Sequence, residues 1–209
     1  MRVRRCKDRR KHRIERRIRS IVRPQREHAA GIEMFGQARK SYERAAKLDK
    51  DFAQAINNMG TVFYAQKRFK KAAKMYRKAL DLTPNSASIH SNLGTALFAR
   101  KKFKQATQEY LIALQLDPEV FEHRNTVGTL LQERSVEDRA RYHYFLAKAY
   151  AAAGIYDRAL LYLRRSLEEG FGRKPDSIVS EKEFEQLREN PQFLNILYPG
   201  EAAELRPAN

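Results

Sequence analysis

The sequence predicts an all-α protein, a solenoid of helical hairpins followed by a helical C-terminal cap. The first observation behind this prediction is a 34-residue repeat of bulky, small and aromatic residues. The second is a proline near the end of each of the two best repeats, where a helix must stop. The third is a composition of 42% hydrophobic and 32% charged residues, which fits helices with a solvated outer face. One hairpin cannot bury its apolar face alone, so neighbouring hairpins must stack.

The two regular repeats, 53–86 and 87–120, match at eight positions without a gap. These positions hold Ile56, Met59, Gly60, Phe63, Ala72, Tyr76, Ala79 and Pro84 in the first repeat, and His90, Leu93, Gly94, Leu97, Ala106, Tyr110, Ala113 and Pro118 in the second. We predict that the glycine and the first alanine of each repeat let the two helices of a hairpin approach closely, and that the second alanine, Ala79 or Ala113, does the same between one repeat and the next helix. The bulky residues are predicted to fill the space between the helices. The proline is predicted to end the second helix.

Two degenerate repeats, 25–52 and 140–171, flank the regular pair. The earlier one keeps a second helix, marked by Ala38, Tyr42, Ala45 and Leu48, while its first helix, roughly 25–34, is predicted to be shortened or altered. The later one keeps the pattern at Leu146, Ala147, Tyr150, Gly154, Tyr156, Ala159 and Leu163, with Ser166 for the second alanine and Phe171 for the proline. His90 and His143 stand at the bulky position of their repeats and are predicted to be packing residues.

An irregular segment, 121–139, interrupts the spacing between the regular repeats and the last one. Residues 127–131 fit a first helix in register, but its partner helix is missing. A new helix is predicted to begin at Ser135, an N-cap residue type that is followed by the acidic residues Glu137 and Asp138. Both an unpaired helix and an ordered insertion are compatible with this segment.

The C-terminal region, 172–209, does not follow the repeat and is predicted to cap the array. Ser180 and Glu183 have the spacing of a capping box, and Asn190-Pro191 predicts a second helix start. The apolar residues that should cover the last repeat are Phe184, Leu187, Phe193, Ile196 and Leu197. The acidic residues at 168–169 and at 181, 183 and 185 are interpreted as solvated helix faces.

The repeat resembles the tetratricopeptide repeat (TPR), and residues 51–198 are most similar to an uncharacterised bacterial TPR family. This resemblance implies a right-handed helical-hairpin solenoid over residues 25–171. It also implies a non-catalytic scaffold that binds another protein, as a peptide or partner helix, in a concave groove lined by the first helix of each repeat. Neither the partner nor the pathway follows from the resemblance.

The groove positions of the family fall on polar and aromatic residues in this chain. They are Gln54, Asn57, Asn58, Thr61 and Tyr64 in one repeat, Ser88, Ser91, Asn92, Thr95 and Phe98 in the next, and Glu122, Asn125, Thr129 and Gln132 in the partial one. Amide side chains can donate to and accept from a peptide backbone, although several of these residues could simply face solvent. The clamp of Lys, Asn and Arg that holds chaperone C-termini is disfavoured, because 57, 61, 91 and 95 include no Lys or Arg.

The net charge of +17 is concentrated in two places. A basic arm, 1–24, flexible or helical, holds 12 Lys and Arg residues against two acids, and repeat 53–86 holds seven against Asp81 alone. Within that repeat Lys67, Lys71, Lys74 and Lys78 form a stripe at helical spacing. The alternative function is therefore association with nucleic acid or another anionic surface through the arm and this stripe. A plain solvated face and an arm without a selected role are the other interpretations.

No catalytic, metal or cofactor site is predicted. The five histidines lack the spacing of a metal site, Cys6 is the only cysteine, and no phosphate-binding glycine motif or nucleophile elbow occurs. The protein is accordingly predicted not to be an enzyme. No stretch of about 18 apolar residues occurs and no secretory signal is recognised, so the expected location is cytoplasmic. An exported location would follow if the true start of the chain differs.

Overall fold

The computed structural model describes residues 36–38, 40–44, 53–122 and 135–199. Throughout these ranges the regular secondary structure is helical, and they contain no strand. The predicted all-α class is therefore confirmed. The arm, most of repeat 25–52, and residues 123–134 and 200–209 lie outside the described part. The chain divides into two units with the boundary between Asn85 and Ser86.

The first unit is built on one hairpin, formed by α1 (Ala53–Ala65) and α2 (Phe69–Leu82). Its turn places Lys67 in the left-handed region, at φ 57°. Residues 36–38 and 40–44 are helical, as predicted for the earlier degenerate repeat. Ala38 and Tyr42 are buried there against Val62, and burial raises the pKa of Tyr42 to about 12.

The described residues of the second unit form two hairpins and the cap. The helices are α3 (Ala87–Ala99), α4 (Phe103–Leu116), α5 (Val136–Ala152), α6 (Tyr156–Glu168), α7 (Pro175–Val179), a 3₁₀ helix (Lys182–Leu187) and α8 (Pro191–Leu197). α5 packs directly against α4, although residues 117–135 separate them in sequence. The rings of Phe103 and Phe145 stack with centroids 4.8 Å apart, and Tyr110 meets Tyr142 edge-on at 5.8 Å. The third hairpin therefore follows the second in space, as a consecutive repeat would.

The close approach predicted for the repeat glycines is confirmed. A Cβ atom added to Gly60 would lie 2.5 Å from Cε1 of Tyr76, and the same holds in the second unit for Gly94 and Tyr110 at 2.4 Å. Only glycine leaves room for the tyrosine ring, since real Cβ atoms do not approach that closely. In the third hairpin the equivalent positions hold Ala147 and Leu163, and both side chains are buried.

The helix ends follow local rules that the sequence shows. α2 and α4 end two residues before Pro84 and Pro118, because proline restrains the residue that precedes it. The predicted start at Ser135 is confirmed: its Oγ accepts a hydrogen bond from the Asp138 N–H at 3.1 Å. Asn190 caps α8 in the same way, accepting from the N–H groups of Gln192 and Phe193.

The cap covers the third hairpin with buried apolar side chains, namely Ile178, Phe184, Leu187, Phe193 and Leu197. One detail of the predicted cap is wrong. Ser180 does not form a capping box with Glu183; its hydroxyl donates to the carbonyl of Asp176 at 2.7 Å and closes α7 instead. The reason is that Pro175 begins a short helix, α7, just before Ser180, so Ser180 lies at the C-terminal end of that helix.

Three polar residues of the repeat pattern form hydrogen bonds inside the second unit. Ser166, which replaces the second alanine, is buried and donates to the carbonyl of Ala140 at 2.8 Å. His143 is half-buried, as a packing residue should be, and its Nδ1 lies 2.7 Å from Oε2 of Glu169. His90 makes the same contact with Glu109. The interpretation of Glu169 as part of a solvated face is therefore wrong.

Candidate interaction surfaces

The exposed polar side chains of α1 form the first candidate surface. Gln54 is exposed, and Asn58 and Thr61 are half-buried. The Asn58 Oδ1 accepts from Gln54 Nε2 at 3.1 Å and from Asn57 Nδ2 at 3.4 Å. These bonds use the acceptor of Asn58, and no described residue bonds its amide hydrogens. The arrangement can therefore donate hydrogen bonds to a carbonyl of an approaching chain.

In the second unit the matching surface lies at the start of α3. Ser88 is exposed and its Oγ is 3.2 Å from Oγ of Ser86, while its backbone carbonyl accepts from Ser91. Asn92 follows one helical turn later and is half-buried. This surface combines hydroxyl groups with one amide and carries no charge.

Five of the predicted groove residues in α1 and α3 are buried, and these are Asn57, Tyr64, Ser91, Thr95 and Phe98. Within the first unit, Tyr64 packs on Phe69 with ring centroids 5.1 Å apart. Within the second, Phe98 contacts Phe103, Tyr142 and Phe145. These aromatic side chains are core residues because the neighbouring helix covers them. The candidate surface therefore narrows to Gln54, Asn58, Thr61, Ser88 and Asn92.

The partial repeat contributes one described candidate, Glu122. Its Oε1 lies 3.1 Å from Nη1 of Arg158, and it accepts from the hydroxyls of Tyr150 and Tyr162 at 3.5 and 3.4 Å. Glu122 thus ties the turn after α4 to the third hairpin. Asn125, Thr129 and Gln132 lie outside the described residues.

A cationic face covers the exposed side of α2. All seven basic residues between 67 and 78 are exposed: Lys67, Arg68, Lys70, Lys71, Lys74, Arg77 and Lys78. None of them forms an ion pair with a described residue. The guanidinium carbon of Arg68 lies 5.1 Å from the ring centroid of Phe63, and the Lys71 Nζ lies 6.0 Å from it. Both cations therefore lie within cation–π distance of the Phe63 ring.

A polar network between α5 and the cap was missed by sequence reasoning. Glu181 accepts from the Tyr144 hydroxyl at 2.8 Å and pairs with Lys148 and Arg173, and Lys148 also lies 3.2 Å from Glu183. The interpretation of Glu181 as a solvated residue is wrong, because its side chain is only 15% exposed. No local pattern indicates these pairs, since their members lie up to 37 residues apart.

Within 36–44, 53–122 and 135–199, with residue 39 aside, no three His, Cys, Asp or Glu residues group as metal ligands would. In the same ranges no helix is both long and apolar enough to cross a membrane.

Comparison with known proteins bears on the repeats directly. A family model described as "TPR repeat" matches residues 60–99, and one described as "Tetratricopeptide repeat" matches residues 124–177. The chain contains tetratricopeptide repeats. TPR hairpins form protein-interaction scaffolds, and the repeats of this chain form such a scaffold.

Two solved structures are similar to this chain. MamA is 19% identical, with 66% of this chain and 89% of that chain covered and a TM-score of 0.42. YrrB, described as a TPR protein with an unusual peptide-binding site, is also 19% identical, with 86% and 82% covered and a TM-score of 0.45. A sequence comparison with curated proteins gives no match.

Proposed function

We propose that this protein is a non-catalytic scaffold that binds a peptide or a partner helix on the exposed face of the first helix of its hairpins. The observation behind this proposal is that α1 and α3 each keep uncharged polar side chains at the surface. Gln54, Asn58 and Thr61 do so in the first unit, and Ser88 and Asn92 in the second. Elsewhere on these helices the side chains are mostly buried.

The chemistry of these residues suits a polypeptide backbone. Amides and hydroxyls both donate and accept, so they can bond N–H and C=O groups along an extended chain or at a helix end. Their lack of charge favours recognition by shape and hydrogen bonding over ion pairing. TPR proteins use this face of the repeat for partners, which supports placing the contact here.

Capture of a native partner tests the proposal. The partner is first identified by crosslinking from the host and purified, and its dissociation constant is measured for each variant. Asn58→Arg and Asn92→Arg put a bulky cation on the two faces, and we expect each to weaken binding at least about tenfold, because a buried contact is replaced by a charge without a partner.

A matched control is Gln115→Arg, which adds the same cation at an exposed position of the second helix of a hairpin. We expect this variant to bind as the wild type does. Wild-type affinity in both Asn58→Arg and Asn92→Arg, with unchanged helicity, would exclude these faces as the partner site.

A further inference from the structure

The basic side of α2 differs from the equivalent side of the next hairpin. A shift of 34 residues places Gln105, Gln108, Leu111 and Ile112 where α2 has Lys71, Lys74, Arg77 and Lys78. Both helices have 14 residues, and the buried Ala72, Tyr76 and Ala79 of α2 correspond to the buried Ala106, Tyr110 and Ala113 of α4. The fold therefore does not require cations at these four positions. Of the two hairpins, only the first has them.

The cations of α2 share one side of the helix. At 100° per residue, Lys70, Lys71, Lys74, Arg77 and Lys78 span an arc of about 120° and a length of about 12 Å. The opposite side holds the buried residues Ala72, Ala73, Tyr76 and Ala79, and Tyr76 packs there against Gly60 of α1. Asp81 is the only acidic residue on the helix. A face with this density of unpaired positive charge attracts polyanions at long range.

Helix stability does not explain the charge. Lys70 and Lys71 stand in the first turn of α2, where the helix dipole disfavours cations, and no acidic residue accompanies them there. Phe63 holds Arg68 and Lys71 over its ring, whereas the next hairpin has Leu97 at that position and lacks this contact. Residues that oppose a local preference are expected at functional sites.

Among polyanions, a nucleic-acid backbone fits best. A tight protein interface is centred on aromatic or apolar side chains that lose their water on binding. The only exposed large apolar side chain of α2 is Leu82, at the C-terminal end of the helix and outside the row of cations. Insertion into a membrane needs an apolar face, and that of α2 is buried. Regularly spaced lysines with two arginines match a row of phosphates, which they neutralise without reading base sequence.

We propose that the exposed face of α2, centred on Lys71, Lys74, Arg77 and Lys78, binds the phosphate backbone of nucleic acid. This surface is additional to the polar faces of α1 and α3 and does not depend on the scaffold function proposed for them. Binding is independent of sequence and sensitive to salt, because each contact releases condensed counterions.

The test measures binding of the full chain to a 20-base-pair DNA duplex by fluorescence anisotropy, over a range of KCl concentrations and with two unrelated sequences. The test variant is K71Q/K74Q/R77Q/K78Q, in which the first two changes introduce the residues that the next hairpin carries. The control variant, K102Q/K104Q/R164Q/K182Q, removes the same charge from exposed positions scattered over the second unit. Circular dichroism and a melting curve verify that both variants fold, and K71Q/K74Q replaces the test variant if it does not.

We expect the affinity of the test variant for the duplex to be at least about tenfold lower than that of the wild type near 0.1 M salt. The slope of log K against log salt should become shallower by about 0.9 for each phosphate contact that is removed. The control variant should keep the wild-type slope, and both duplexes should bind alike. An unchanged slope in the test variant, or no duplex binding by the wild type, overturns the proposal. Equal affinity of the wild type for poly-glutamate or for phosphatidylserine vesicles at the same anion concentration overturns it in favour of an acidic protein or a membrane.

Discussion

Gly94 and Tyr110 are in such close contact that a Cβ atom on Gly94 would lie 2.4 Å from Cε1 of the tyrosine ring. The same pair occurs in the first unit as Gly60 and Tyr76. In the third hairpin the pair is Ala147 and Leu163, both buried. The contact between the two helices of a hairpin is therefore set by complementary sizes: the largest ring requires the smallest residue.

The size rule predicts a compensating pair of substitutions. Gly94→Ala should lower the free energy of unfolding by about 1–3 kcal/mol, because it overpacks the contact with Tyr110. Adding Tyr110→Leu recreates the combination of the third hairpin, and the double variant should be more stable than Gly94→Ala alone. Urea denaturation of the two single variants and the double variant gives the coupling energy, which should favour the double variant by about 1 kcal/mol or more. A double variant less stable than Gly94→Ala would contradict the rule.

Removal of the Glu181 carboxylate should destabilise the cap. Glu181→Ala leaves the cations of Lys148 and Arg173 without their main partner, and Lys148 is only 14% exposed. We expect a loss of about 3 kcal/mol in the free energy of unfolding, the range seen when one member of a buried pair is removed. Glu137→Ala is the control, since Glu137 pairs with Arg141 while 76% exposed. That change should alter stability by less than about 0.5 kcal/mol, and similar losses in both variants would argue against a structural role for Glu181.

His143 predicts a loss of stability in mild acid. Burial lowers the pKa of His143 below its ordinary value of 6.5, and the nearby Glu169 offsets this only in part. Because the unfolded chain takes up the proton more readily, stability falls as the pH drops below about 6.5 and stops falling below the folded pKa. Melting temperatures of the wild type and His143→Gln between pH 8 and pH 5 measure the effect. The His143→Gln variant should have the weaker pH dependence, whereas parallel curves would show that another group is responsible.

Replacement of Ser166 should cause a small loss of stability. Its buried hydroxyl donates to the carbonyl of Ala140, so Ser166→Ala removes one hydrogen bond between α6 and α5. The free energy of unfolding should fall by about 1 kcal/mol. Ser177→Ala, at an exposed position of α7, should change it by less than about 0.5 kcal/mol in the same denaturation experiment. No loss in Ser166→Ala would mean that the larger helix propensity of alanine offsets the bond.

The features that the sequence alone predicted correctly are the ones set by neighbours along the chain. The repeat period and the alternation of small and bulky residues predicted the hairpins, because a helix brings residues three and four apart onto one face. The end of α2 before Pro84, the start of α5 at Ser135 and the start of α8 at Asn190 follow from backbone chemistry within four residues. The incorrect capping box at Ser180 shows the limit of such rules. Ser180 lies between two helices, and it caps the end of α7 instead of the start of the 3₁₀ helix that follows.

Tertiary structure alone decided which of the polar candidates remain at the surface. Asn57 and Asn58 are adjacent amides in one helix, yet one is buried and the other half-buried. It also placed α5 against α4 across residues 117–135 and brought Glu181 to Lys148. The physical reason is that burial and ion pairing depend on contacts between side chains that are far apart in sequence. Helical periodicity indicates only on which face of its own helix a residue lies. The sequence determined the repeats of this protein, and packing between them determined the surfaces left for partners.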